Sequence, residues 1–323
     1  MTWLRGLDRF LLAIVAAAAI ATVLPAQGAW IGALHLATTA AVSLLFFLYG
    51  ARLPADQALN GLRHWRLHLV ILSFTYLVFP VIGTLLRPVS PALLDPALYA
   101  GLLFLCLVPS TVQSSINFTS MARGNVAGAI VSASVSNLLG VFLTPLLCWL
   151  LMTTSAGLVI HADTVLNLMG QLLLPFLLGQ VSRRWTGPWV ARHPRLKLLD
   201  HASIVLIVYA AFSDGVRKGV WQRISALDLL SVSVICVAIL LLLLWLTRRV
   251  AERLGFERGD MIAIQMCGTK KSLATGLPMA SVIFAGQDVG LLILPLMVFH
   301  QAQLIACGWL ASRYARDGES SVA

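Results

Sequence analysis

The chain has 323 residues, of which 59% are hydrophobic and only 11% charged, and its mean hydropathy is +0.88. A soluble domain of this length needs more polar surface to cover its core, so the composition excludes an ordinary soluble protein and points to repeated bilayer spans. The net charge of +10 does not mark nucleic-acid binding, because the basic residues sit in short loops between apolar runs, where they set membrane orientation.

The apolar runs predict ten spans, at roughly 10–27, 30–49, 68–86, 97–121, 125–152, 163–182, 199–213, 227–246, 261–284 and 289–310. The opening segment, basic and then apolar through LPAQGA, has the outline of a cleaved leader. It is taken as the first helix, since more apolar runs follow and the charge pattern requires a span there. Pro25, Pro54, Pro88, Pro91 and Pro188 lie near segment ends, where proline stops a helix.

With the N-terminus cytoplasmic, seventeen of the 23 Lys and Arg residues fall in inner loops, from Arg5, Arg9, Arg52 and Arg63 to Arg313 and Arg316. Arg87, Arg217, Lys218 and Arg223 fall outside, and Lys270 and Lys271 lie within the ninth span. This split predicts a multi-pass membrane protein with both termini cytoplasmic. All five cysteines fall in apolar segments and read as inert buried thiols, not as a disulfide framework.

Ten spans divide into five-helix halves, 1–153 and 154–323, and an odd number per half inverts the second against the first. The fourth span of each half carries a polar run: VPSTVQSSINFTSMARGN at 108–125 and IQMCGTKKSLATGLPM at 264–279. Such runs are costly in lipid and are tolerated where a helix breaks beside a cavity. The predicted fold is therefore an all-α membrane protein, with its fourth and ninth helices discontinuous.

In the first run Ser110, Thr111, Gln113, Ser114, Ser115, Asn117, Thr119 and Ser120 supply oxygens, and Pro109 frees a carbonyl. These are hard ligands, suited to Na⁺ or a polar substrate; small hydroxyl residues also simply pack helices. In the second run Lys270 lies about 15 Å into its span at helical rise. A lysine there is a functional-site candidate by default, with snorkelling as the structural alternative. Gln265, Thr269, Lys271 and Ser272 complete that run, and Gly268, Gly276 and Pro278 fit a helix broken around them. Ser132 and Ser136 share a face of the fifth span, beside Ser134 and Asn137. His300, Gln301 and Gln303 are candidate supporting partners, and Asp214 is either interfacial or a substrate contact. No HExxH, GxSxG, P-loop or Cys/His metal spacing occurs, so no enzyme and no resident cofactor is expected.

The stretch VPSTVQSSINFTSMARGNVAGAI with LLGVFLTPLL, and CGTKKSLATGLPMASVIFAG with LPLMVFHQAQL, resemble the bile acid:sodium symporter family, in its short bacterial branch. The resemblance implies two inverted five-helix repeats. Helices 1, 2, 6 and 7 would form a panel and the rest a core, with helices 4 and 9 crossing at mid-membrane. It further implies coupled uptake of an organic anion lying between panel and core. Ser114, Ser115, Gln265 and Thr269 are the candidate Na⁺ ligands, and the resemblance puts Gln265 where sodium-coupled members carry glutamate. Lys270 stands where they have asparagine, and Ala129 and Ala133 replace two hydroxyls. The expected function is a secondary active symporter of a small organic anion, coupled to Na⁺ or H⁺. The alternative is a membrane regulator that does not transport.

Overall fold

A computed structural model describes residues 9–52, 64–90, 94–152, 162–193, 195–219, 222 and 225–320. Arg5, Pro54, Arg63, Pro91, Arg223 and the proposed repeat boundary at 153/154 lie outside them.

The described chain is helical throughout, in the order α1 (Arg9–Val23), α2 (Trp30–Arg52), α3 (Trp65–Ser73), α4 (Phe79–Leu85), α5 (Pro96–Leu107), α6 (Gln113–Met121), α7 (Val126–Leu147), α8 (Ala162–Arg192), α9 (Leu196–Arg217), α10 (Ala226–Arg253), α11 (Arg258–Gly268), α12 (Leu273–Ile283) and α13 (Val289–Ser320). A π-helical turn, Phe74–Val78, joins α3 to α4, and another, Cys148–Met152, extends α7. Among the described residues, six helical stretches are long and apolar enough to cross a membrane: Trp30–Arg52, Trp65–Val89, Val126–Met152, Leu198–Arg217, Ala226–Arg253 and Val289–Asp317. Leu12–Val23 and Pro96–Leu107 are shorter apolar helices. Several helices outrun the apolar stretches that predicted them, α8 to Arg192 and α10 to Arg253. Hydropathy marks the part that suits lipid, whereas backbone hydrogen bonding continues into the polar loop.

These helices are apolar on nearly every face. Along α10, Leu230, Val234, Leu241 and Trp245 are exposed while Val232, Cys236, Ile239 and Leu243 are buried. A helix apolar all round suits a hydrocarbon surrounding.

The chain forms two compact units: Met1–Leu53 with Ala162–Ile224 and Leu277–Leu291, and Pro54–His161 with Ser225–Gly276 and Leu292–Ala323. In the first, α2 and α8 touch backbone to backbone. A Cβ on Gly50 would lie 2.1 Å from the Phe176 carbonyl oxygen, and one on Gly179 would lie 2.1 Å from that of Phe47. Small residues let helices approach this closely in a membrane. The α1–α2 turn is tied to α9, where Ser213 Oγ accepts from the Ala26 N–H at 2.6 Å and Tyr209 donates to the Leu24 carbonyl at 2.9 Å. Beside that turn lies an apolar cavity of about 660 Å³, lined by Leu24, Pro25, Trp30, Leu34 and Tyr209 among others, which holds none of the predicted site residues.

In the second unit a buried core of Leu67, Ile71, Ala129, Ile262, Met266 and Tyr314 holds α3, α7, α11 and α13 together. The segment ARGN turns the chain from α6 into α7. Arg123 takes a left-handed φ of 58°, and the Gly124 N–H returns to the Thr119 carbonyl at 2.8 Å, closing the helix in the manner of a C-terminal cap. A Cβ on Gly124 would meet Ile262 at 2.6 Å. Asn125 accepts from the Gly128 N–H at 2.8 Å, donates to Asp260 at 2.7 Å, and its own N–H reaches the Gly259 carbonyl at 2.9 Å. The motif thus pins the start of α7 to the start of α11.

Candidate functional site

Both predicted interruptions are breaks in the second unit. The first, Val108–Val112, separates α5 from α6; the second, Thr269–Ser272, separates α11 from α12. Pro109 accounts for the first. It has no N–H to continue the helix, and it holds Val108 extended at φ −76°, ψ 157°.

A broken helix orphans the carbonyls of its last turn. Each carbonyl from 106 to 110 receives a donor from elsewhere. Lys271 Nζ donates to Cys106 at 2.9 Å and to Val108 at 2.8 Å. Thr144 donates to Leu107 at 2.9 Å, the Ser272 N–H to Pro109 at 2.8 Å, and Asn137 to Ser110 at 2.8 Å. Ser110 Oγ in turn donates to the Cys267 carbonyl at 2.6 Å. The two breaks are therefore hydrogen-bonded to one another, and α7 clamps them. Ser136 Oγ accepts from the Ser110 N–H at 3.1 Å, and Thr275 donates to Asn137 Oδ1 at 2.9 Å. Gly276 serves packing and not the break itself, since a Cβ there would meet Leu296 at 2.6 Å.

Lys270 and Lys271 are both fully buried, at 0% exposure, and neither pairs with a carboxylate among the described residues. Their surroundings differ. Lys271 Nζ also donates to the Thr75 carbonyl at 2.9 Å and lies 4.1 Å from the centre of the Phe79 ring. Its backbone is held by Gln303, which accepts from the Lys271 N–H and donates to the Lys271 carbonyl, each at 2.8 Å. Lys270 Nζ donates to the Ser114 carbonyl at 2.9 Å and lies 4.0 Å from the centre of the Phe118 ring. One ammonium thus has an acceptor for each of its three protons, and the other, among the described residues, has donors to spare.

The remaining candidates scatter around this centre. Thr111 shares hydrogen bonds of 2.8 Å with both Ser114 and Ser115. Gln113 and Asn117 pair with each other on the exposed face of α6 at 3.0 Å. The Thr119 hydroxyl is buried with no partner among the described residues. Ser132 meets His68 Nδ1 at 2.7 Å. Ser272 caps Thr275, and Gln303 lies 2.8 Å from His300 Nδ1. The Gln265 amide is occupied by the Leu244 carbonyl and the Tyr314 hydroxyl, each at 2.7 Å, and Thr269 donates to the Gln265 carbonyl at 2.6 Å. Of the predicted Na⁺ set of Ser114, Ser115, Gln265 and Thr269, the Ser114 carbonyl accepts from Lys270 and the Gln265 side chain is held by Leu244 and Tyr314. Asp214, in the first unit, is paired with Arg217 at 2.8 Å and Lys218 at 2.9 Å.

Thr75, Phe79, Cys106 and Thr144 are absent from the sequence prediction. Thr75 carries a hidden signal. Its carbonyl lies in the π-helical turn, where the Phe79 N–H goes to Phe74. The next donor in that register would be residue 80, which is proline.

Residues 8–316 match the SBF-like CPA transporter family. The chain is 44% identical over 320 residues to the putative symporter YfeH of Escherichia coli (strain K12), covering 99% of this chain and 96% of that protein. It is 49% identical over 317 residues to an uncharacterized protein of Pseudomonas aeruginosa, covering 98% and 95%. It is 30% identical over 306 residues to sodium/bile acid cotransporter 7 of Danio rerio, covering 92% and 90%.

Proposed function

Because the chain belongs to the SBF-like CPA transporter family, we propose that it is a secondary active transporter of a small organic anion, a carboxylate or sulfate, driven by a Na⁺ or proton gradient. In this proposal its ten spans form two inverted repeats in the bacterial inner membrane, with both termini cytoplasmic. Alternating access presents the paired breaks to each side in turn. The observation that carries the anion assignment is the pair of ammonium groups, buried at 0% exposure without a carboxylate partner among the described residues. Buried charge of one sign is costly unless something neutralises it. An anion arriving at Lys270, whose donors are not all used, supplies that neutralisation. The symporter and cotransporter named among its relatives support a small-molecule cargo.

The test is uptake of radiolabelled taurocholate and estrone sulfate by proteoliposomes under separate Na⁺ and pH gradients. One gradient is expected to raise uptake several-fold above the ungraded vesicles and above empty liposomes. Uptake equal to empty liposomes overturns transport of these anions. Uptake above background but indifferent to both gradients overturns coupling.

A further inference from the structure

The Lys271 ammonium sits in a cage. Its three acceptors are the Thr75, Cys106 and Val108 carbonyls at 2.9, 2.9 and 2.8 Å, and the Phe79 ring closes one side at 4.1 Å. Each acceptor is a backbone carbonyl released for a local reason: Thr75 by the π turn and Pro80, Cys106 and Val108 by the break at Pro109. Converging backbone carbonyls replace the hydration shell of a monovalent cation, and an aromatic face adds further attraction for one. A side chain without N–H donors here would leave three buried acceptors unsatisfied.

We propose that this cage is a monovalent-cation site whose cation is built into the chain: the Lys271 ammonium permanently occupies the position of a bound ion. The proposal deepens the transporter reading and rests on it only for its meaning in coupling. A site already filled by a tethered ammonium takes no Na⁺, so any Na⁺ used in transport binds elsewhere. Contact distances of 2.8–2.9 Å match an ammonium and suit K⁺ or a small alkylammonium better than the smaller Na⁺.

Truncating the side chain should expose the site to ions from solution. Lys271→Ala, purified in detergent, is compared with the natural chain in N-methyl-D-glucamine chloride, then with Na⁺, K⁺, ammonium or methylammonium at constant ionic strength. Apparent Tm is read by thermal size-exclusion chromatography. The variant is expected to gain roughly 3 °C or more at saturating ammonium, methylammonium or K⁺, less with Na⁺, while the natural chain stays unmoved. Lys271→Gln, whose amide fills the cage, is the folding control and should not respond. If Lys271→Ala is recovered only when extracted in ammonium or potassium salts, the proposal stands. It is overturned if the variant ignores all four cations, if the natural chain shifts equally, or if Lys271→Gln is recovered and Lys271→Ala in none of the salts. These readouts need no transport, so they fail or succeed independently of the uptake assay.

Discussion

The two helix breaks answer one another. The first is rich in acceptors: five successive carbonyls, Cys106 to Ser110, lose their helical donors. The second is rich in donors, bringing the Ser272 N–H and the Lys271 ammonium to three of those five. Either break alone would leave several polar groups stranded in an apolar surrounding. Together they satisfy most of each other's needs, and Thr144 and Asn137 of α7 supply the rest. An interrupted span is tolerable when its partner carries the opposite hydrogen-bonding character.

Removing the donors of the second break should cost most. Lys271→Met leaves three buried carbonyls bare, at roughly 1–3 kcal/mol each. Apparent Tm in detergent should fall by about 10 °C or more, or the protein should be lost from the membrane fraction. A fall of only a degree or two would break the complementarity of the two breaks. Asn137→Ala removes the clamp on Ser110 and the acceptor of Thr275, and about 2 kcal/mol of stability should go with it, read as a smaller Tm shift. Asn125→Ala loses an N-terminal cap and the link to Asp260. Its expected cost is about 1–2 kcal/mol, with no change in the apparent affinity for the transported anion. Thr119→Val replaces a buried hydroxyl without a partner by a methyl group, so stability should hold or rise slightly in the same thermal assay. If that variant instead abolishes uptake at unchanged stability, Thr119 contacts the cargo and the site extends along α6.

Much of this was legible in the sequence, for reasons that differ between residues. Pro109 and the polar runs announce both breaks, and lysine at mid-span announces a buried charge. The face of α6 was also present as a period: Ser115 and Thr119 lie inward, as Thr111 does in the break before the helix, whereas Gln113 and Asn117, one face over, are exposed. Polarity alone could not separate the two sets. Which lysine enters the cage was not legible, because side-chain direction in a non-helical break follows no period. The Thr75 carbonyl was hidden because a π turn leaves hydropathy unchanged. Gln265, placed by resemblance among cation ligands, is drawn to Leu244 and Tyr314 by contacts distant in sequence.

The two lysines, adjacent in sequence and equally buried, offer the sharpest division: Lys271 is satisfied by the chain, whereas Lys270 has one carbonyl acceptor among the described residues, and the proposed function assigns its other donors to the cargo. Uptake of radiolabelled estrone sulfate by proteoliposomes carrying Lys270→Gln tests this most directly. Its amide can still reach the Ser114 carbonyl, so apparent Tm should stay within a few degrees of the natural chain while uptake falls at least about tenfold. Unchanged uptake by the correctly folded variant would contradict the assignment of the buried charge to anion transport.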